Sequence, residues 1–233
     1  MKNNIILAVI ILIMGVFMSL SSFSVMGPTE AFGQTGRKVL IIPREGYSSD
    51  LDLMIKMEIG VMRVLLKNAG LDVDIATTTG IHIVGPTEKV TDVKALRNIS
   101  IDNYAGVIIA CMAMGGGSNP PPIASPLVIA IIKKALSDGK PVAANGNAPT
   151  VFAEAGILKG KKYSYMRDPL KTTATINFTL PVFEDAIYSG TGLVQDGLII
   201  TSGVCANIEK GGSGLENGTV KLTKAFIAAV TKK

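Results

Sequence analysis

Residues 139–162 read G-K-P-V-A-A-N-G-N-A-P-T-V-F-A-E-A-G-I-L-K-G-K-K. Lys140–Ala144 is a short apolar run, which predicts a strand buried on both faces. Thr150–Ala155 predicts a short helix that Gly156 ends. Between them Asn145-Gly146-Asn147-Ala148-Pro149 stands at the end of the strand. The same alternation extends outward on both sides. Upstream, K-V-L-I-I-P (38–43) predicts a first buried strand, and residues 51–69 carry Leu, Met, Ile and Val at helical spacing up to a stop at Gly70. Asp72–Thr77 predicts a second strand. Residues 80–100, with Gly80, Gly85 and Pro86, are irregular and have room for a hairpin. Ala105–Ala110 predicts a third strand and residues 125–138 a helix rich in Ile, Leu and Lys. Downstream come a polar β-like stretch (172–180), a strand at Leu198–Thr201 and a last helix at Leu222–Val230. Strands alternating with helices imply an α/β class, with a mostly parallel central sheet covered on both faces. No linker, repeat or low-complexity stretch interrupts 37–233, which reads as one domain.

The chain has 233 residues, 48% of them apolar and 18% charged, with a net charge of +5. That composition excludes intrinsic disorder as the main reading. Two cysteines are too few for a disulfide scaffold or a Cys-rich zinc module. A single histidine, His82, leaves a His-rich metal centre or a Ser-His-Asp triad with almost nothing to stand on, and in an irregular segment it reads as a loop residue. There is no long Lys/Arg run, no Trp, and only seven Phe and five Tyr, so nucleic acid is not an expected partner. At the N-terminus, Lys2 precedes an unbroken apolar run from Ile5 to Leu20, and Ala31-Phe32-Gly33 offers a small-x-small cleavage site. Residues 1–33 therefore read as a secretory signal peptide. The alternative is an uncleaved N-terminal anchor, for which the run is short against the ~20 residues of a spanning helix. The expected location is exported, periplasmic or extracellular, with membrane attachment only through that anchor.

In open α/β sheets the site lies at the carboxyl ends of the strands. Three segments end strands there: Pro43 onward, leading to Glu58; Cys111-Met112-Ala113-Met114-Gly115-Gly116-Gly117; and Asn145–Pro149. The glycine run offers a nest of backbone amides for an anion or oxyanion, or is simply a surface loop. It matches neither the P-loop nor the G-x-G-x-x-G dinucleotide pattern. Asn98-Ile-Ser100, Asn177-Phe-Thr179 and Asn217-Gly-Thr219 fit the glycosylation acceptor pattern, which has meaning only in a eukaryotic secretory pathway.

These segments resemble the ThiJ/PfpI family, within the class I glutamine amidotransferase-like superfamily. K-V-L-I-I-P followed by a helix with Glu58 ending at A-G (69–70) resembles the start of such a domain. D-N-Y-A-G-V-I-I-A with the later G-G-G resembles its central strand and oxyanion glycines. The 139–162 block is its most telling stretch, and D-G-L-I-I-T-S-G (196–203) resembles its late strand. The resemblance spans about 37–230 and implies a flavodoxin-like three-layer sandwich. Family members include glyoxalases, protein-repair deglycases, proteases and chaperones. The departure lies at the elbow. The family reads A-x-C-H-G-P there, whereas this chain reads Ala144-Asn145-Gly146-Asn147-Ala148-Pro149. Gly146 stands where the nucleophilic Cys belongs and Asn147 where many members carry His. Covalent thiol chemistry cannot run at a glycine, and the strain of the elbow, about 1–3 kcal/mol for other residues, falls away there.

The resemblance places Glu58 in the family pocket, where burial would raise its pKa; by its neighbours Lys56 and Arg63 it also reads as an exposed helical residue. Cys111, just after the central strand, is a substitute nucleophile or a structural thiol. No ligand spacing links Cys111, Cys205, His82 and Glu58, so no metal is expected, and no cofactor. Cys111 and Cys205 both follow predicted parallel strands. Neighbouring strands lie ~4.8 Å apart and a disulfide needs Cα atoms about 4.4–6.8 Å apart. Both should lie at the carboxyl edge of the sheet. Adjacent strands would permit a Cys111–Cys205 bridge and an intervening strand would usually prevent it, while the resemblance, in which the late strand runs close to the end of the central strand, implies proximity. Two buried unbridged thiols are the other outcome.

The expected pocket comprises Glu58, Gly115, Gly116, Gly117, Gly146 and Asn147. The leading expectation is a non-catalytic domain with a degenerate active site that binds or senses a small-molecule ligand. One alternative is an enzyme of the glyoxalase, deglycase or amidase type with relocated chemistry on Glu58 and Cys111. The other is a structural or chaperone-like protein, which a homodimer would suit.

Overall fold

In the computed structural model, residues 37–111, 125–174 and 176–232 are described. The chain enters at β1 (Lys38–Ile42) and makes a short strand β2 (Gly46–Tyr47). A helical stretch follows as α1 (Leu51–Leu53), a π-helical segment (Met54–Gly60) and α2 (Val61–Asn68). Next come β3 (Asp72–Thr77), the antiparallel hairpin β4 (Ile83–Val84) and β5 (Lys89–Val90), then β6 (Lys94–Ala95) and the central β7 (Tyr104–Ile109). Helix α3 (Pro126–Ser137) leads to β8 (Val142–Asn145) and α4 (Pro149–Glu154). The last part holds β9 (Lys162–Tyr163), β10 (Ile187–Tyr188), β11 (Leu193–Asp196), β12 (Ile199–Ser202), a turn of helix α5 (Ala206–Ile208) and α6 (Thr219–Thr231). No helix among the described residues is long and apolar enough to cross a membrane. The proposed signal at 1–33 and the glycines Gly115, Gly116 and Gly117 lie outside the described residues.

One seven-stranded sheet organises the molecule, in the order β11-β12-β8-β7-β1-β3-β6. All of its pairings are parallel except β11 with β12. Side chains of a strand point alternately to its two faces, and here both faces are covered. Leu40, Ile42, Val107, Ile109, Val142 and Ala144 enter one core with Val128 and Ile132 of α3 and Phe152 of α4. Val39, Ile41, Ile108, Ala143 and Ile200 enter the other with Met62 and Leu66 of α2 and Leu222 and Phe226 of α6. The near-continuous apolar runs of the central strands follow from this double burial. This is the α/β architecture expected from the sequence: a flavodoxin-like sandwich with a mostly parallel sheet.

Three details differ from expectation. The described part of 172–180 forms no strand. Its backbone is gathered around the Arg167 guanidinium, which donates to the carbonyls of Lys171 (2.6 Å) and Phe178 (3.0 Å) and sits 5.0 Å from the Phe178 ring centre. A loop whose carbonyls are satisfied by a side chain does not need a ladder. The antiparallel edge strand β11 carries no apolar run, because it is half-exposed. The last helix starts at Thr219, three residues before its apolar stripe, with Gly218 at its N-cap. Just ahead of it Asn217 Oδ1 accepts the Thr219 N–H (3.0 Å) and hydroxyl (2.7 Å) in a local turn that fixes the entry to the helix.

Candidate functional site

The ends of β7 and β8, the turn after β12 and the π-helical segment converge on one buried cluster. Glu58 lies in that segment, a winding often found at functional positions. Its side chain is fully buried, at 0% exposure, rather than half-open to a cleft. Oε1 accepts the backbone N–H of Cys111 (2.7 Å) and Nδ2 of Asn145 (2.8 Å). The second Asn145 Nδ2 proton goes to Thr219 Oγ1 (2.9 Å), tying β8 to the start of α6. Among the described residues, Glu58 Oε2 and Asn145 Oδ1 are buried with no hydrogen-bond partner.

Burial raises the Glu58 pKa from 4.5 to about 7, with the bonds from Cys111 and Asn145 opposing it. The linkage has a definite sign. Below about pH 4.5 the carboxyl is protonated in both folded and unfolded chains; between about 4.5 and 7 only the folded chain holds the proton. Its contribution to stability is therefore complete at low pH and is lost as pH rises through 7, by about 3 kcal/mol at ~1.4 kcal/mol per unit. Glu58→Gln keeps an acceptor for Cys111 and Asn145 and removes the titration. Urea unfolding of both proteins between about pH 4.5 and 8 should show wild type losing stability relative to the variant as pH rises. Parallel curves would contradict the burial of this carboxyl.

At the elbow, Gly146 donates its N–H to the Ser202 carbonyl (2.8 Å) and has φ +62°. A Cβ placed there would meet Cys111 Sγ at 2.6 Å and Cys205 Sγ at 2.8 Å. Two sulfurs therefore lie where a side chain of residue 146 would begin. Both cysteines are buried thiols, 2% and 0% exposed, and the Cys205 thiol donates to Cys111 Sγ with the sulfurs 2.7 Å apart. Strand β8 does lie between β7 and β12. It does not keep the thiols apart, because they meet beyond its end, where the chain at 146 has no side chain. The Cys111 contact, then burial, pushes the Cys205 thiol up.

The sequence spacing hid a second convergence. Glu58, Cys111 and Cys205 each present a donor atom within 4.8 Å of the others, a set of the kind that binds thiophilic cations. On a tetrahedral ion with bonds of about 2.3 Å the sulfurs would stand about 3.8 Å apart. At 2.7 Å the pair is closed on itself rather than opened around an ion. His82 takes no part: it is exposed in the loop before β4.

Asn147 is half-buried, its carbonyl accepting from Thr150 N (3.1 Å), and among the described residues its Oδ1 has no partner. Tyr165 and Thr219 had no signal in the sequence. Tyr165 is 1% exposed and its hydroxyl lies 3.4 Å from Thr150 Oγ1. Burial raises its phenol, the Thr150 hydrogen bond opposes, and Cys111 adds to the rise. Asn145 was legible only as part of the turn.

A parallel α/β sheet with an acidic residue from the first helical stretch, set beside a strand-to-helix elbow, defines the class of the flavodoxin-like sandwich with an elbow site. The chain belongs to the DJ-1/PfpI family, whose family model matches residues 21–210. An uncharacterised protein of Methanocaldococcus jannaschii is 32% identical over 145 residues, covering 59% of this chain and 63% of that protein, so the match leaves over a third of that relative unspanned. A Thermococcus kodakarensis protein named as a deglycase is 29% identical over 127 residues, 54% of this chain and 69% of that one. Among solved structures, a ThiJ/PfpI domain protein of Brachyspira murdochii shares the fold with a TM-score of 0.56 at 14% identity, over 84% of this chain and 97% of that one. DJ-1beta of Drosophila melanogaster does so with a TM-score of 0.56 at 19% identity, over 85% and 92%.

Proposed function

We propose that this chain is an exported DJ-1/PfpI domain that binds or senses a small ligand at the family site without elbow-thiol catalysis. One observation carries the reading: at Gly146, which the family resemblance puts at the nucleophile position, the space a side chain would need is filled by Cys111 Sγ and Cys205 Sγ. A buried Glu58 held by Cys111 and Asn145 keeps a polar centre at the sheet's carboxyl edge, which a purely structural protein would not need. Export rests on the Lys2 to Gly33 layout.

A second reading has support of its own. Cys111 Sγ lies near the elbow and Glu58 touches the Cys111 backbone, the parts a relocated thiol–carboxyl chemistry would use. The Thermococcus relative named as a deglycase suits that reading. Methylglyoxal turnover by the purified full-length protein decides between them. The binding reading expects no consumption above that of buffer with free thiol. Turnover that is present in wild type and lost in Cys111→Ser would overturn it in favour of the enzyme.

A further inference from the structure

We propose that Cys111 and Cys205 form a hydroperoxide-reactive dithiol that closes to an intramolecular disulfide across Gly146. The inference needs only the two sulfurs and Glu58, and it stands apart from the ligand-binding reading. Three observations carry it. The sulfurs are in contact, 2.7 Å apart, and come from distant parts of the chain held in place by the ends of β7 and β12. Gly146 leaves the path between them open. A carboxylate oxygen of Glu58 lies within 4.8 Å of both sulfurs, and among the described residues Glu58 Oε2 has no hydrogen-bond partner.

The arrangement divides the work. The Cys205 thiol directs its proton at Cys111 Sγ, so a thiolate formed on Cys111 in the reaction would accept that hydrogen bond. Cys111 is then the attacking sulfur, and Glu58 accepts its proton. The Cys111 thiolate attacks one oxygen of the hydroperoxide: an S–O bond forms, the O–O bond breaks, and the leaving alkoxide takes the proton from Glu58 to depart as alcohol, or as water when the oxidant is hydrogen peroxide. The Cys205 sulfur next attacks the Cys111 sulfenic acid. The S–S bond forms, the S–O bond breaks, and hydroxide leaves with the Cys205 proton as water. Two thiols are oxidised to one disulfide, and one hydroperoxide is reduced to alcohol and water. With 2% and 0% exposure the sulfurs have no room for a protein-sized exchange partner, whereas a small hydroperoxide or a small dithiol needs far less.

The test uses the full-length protein, reduced with dithiothreitol, freed of reductant under argon, treated with one equivalent of hydrogen peroxide, then denatured, alkylated and weighed. The expected product has lost two hydrogens, resists alkylation at both cysteines, yields a linked Cys111–Cys205 peptide, and reverts with dithiothreitol in the folded state. Cys205→Ser should stop at a gain of one oxygen on Cys111, trapped by dimedone. Cys111→Ser should consume peroxide at least about tenfold more slowly. Where a variant fails to fold, by its far-ultraviolet spectrum, the wild-type masses alone decide. Two alkylated cysteines after peroxide would overturn the proposal. So would direct over-oxidation without a bridge, or a disulfide that reductant opens only after unfolding, which would make it a structural cross-link.

Discussion

Replacing Gly146 by alanine is expected to destabilise the fold by about 3–5 kcal/mol. The left-handed backbone, φ +62°, costs a residue with a side chain about 1–2 kcal/mol. The new Cβ would overlap Cys111 Sγ and Cys205 Sγ at 2.6 and 2.8 Å, and forcing side chains from a packed interior costs about 1–3 kcal/mol, here toward the upper end because two atoms must move. Against a total stability of about 5–15 kcal/mol this is a large share. Cys111→Ala, which removes the nearer sulfur, should restore part of the loss when combined with Gly146→Ala. Denaturant unfolding of the two single variants and the double variant measures that coupling. Strictly additive losses would show that the sulfurs do not stand beside residue 146. By the same geometry Gly146→Cys does not rebuild the family nucleophile, since its Cβ meets the same two sulfurs.

Closing the Cys111–Cys205 bond is expected to stabilise the folded chain by about 4–5 kcal/mol, because the bridge spans a long loop and restricts the unfolded state accordingly. Urea unfolding of the oxidised and the reduced protein at one pH reads the difference. The oxidised form should show the higher midpoint, and Cys205→Ser should show none of the redox dependence. Equal midpoints for a protein shown to carry the bond would mean that bond strain offsets the loop term.

The layers of the fold were legible because each central strand is buried twice. K-V-L-I-I, A-G-V-I-I-A and the run ending at Ala144 are apolar throughout, which only a sheet covered on both faces explains. The 172–180 segment misled because its alternation of polar and apolar residues imitates a strand, while the group that organises it, Arg167, lies outside it. At the site, the departure from the family's elbow pattern was visible in one letter, Gly146. Its consequence was not. That Cys111 and Cys205 both follow predicted strands put them at the sheet's carboxyl edge and favoured proximity. Strand order alone, however, argues against contact between residues that end β7 and β12, and only the structure shows the sulfurs meeting over the end of β8. Glu58 was placed by its register before Ala69-Gly70, but its partner Asn145 and the link on to Thr219 depend on how α6 approaches the sheet. The lack of metal-ligand spacing among Glu58, Cys111 and Cys205 likewise said nothing of their proximity, which the sheet's carboxyl edge creates.

The central claim is that a thiol pair beside a buried carboxyl stands in the place of the elbow nucleophile. A crystal structure of the reduced full-length protein tests it most directly. The account predicts Cys111 Sγ and Cys205 Sγ in contact over the Gly146 Cα, with Glu58 Oε1 accepting from Cys111 N and Asn145 Nδ2. Sulfurs turned away from each other and out of contact over Gly146 would contradict it.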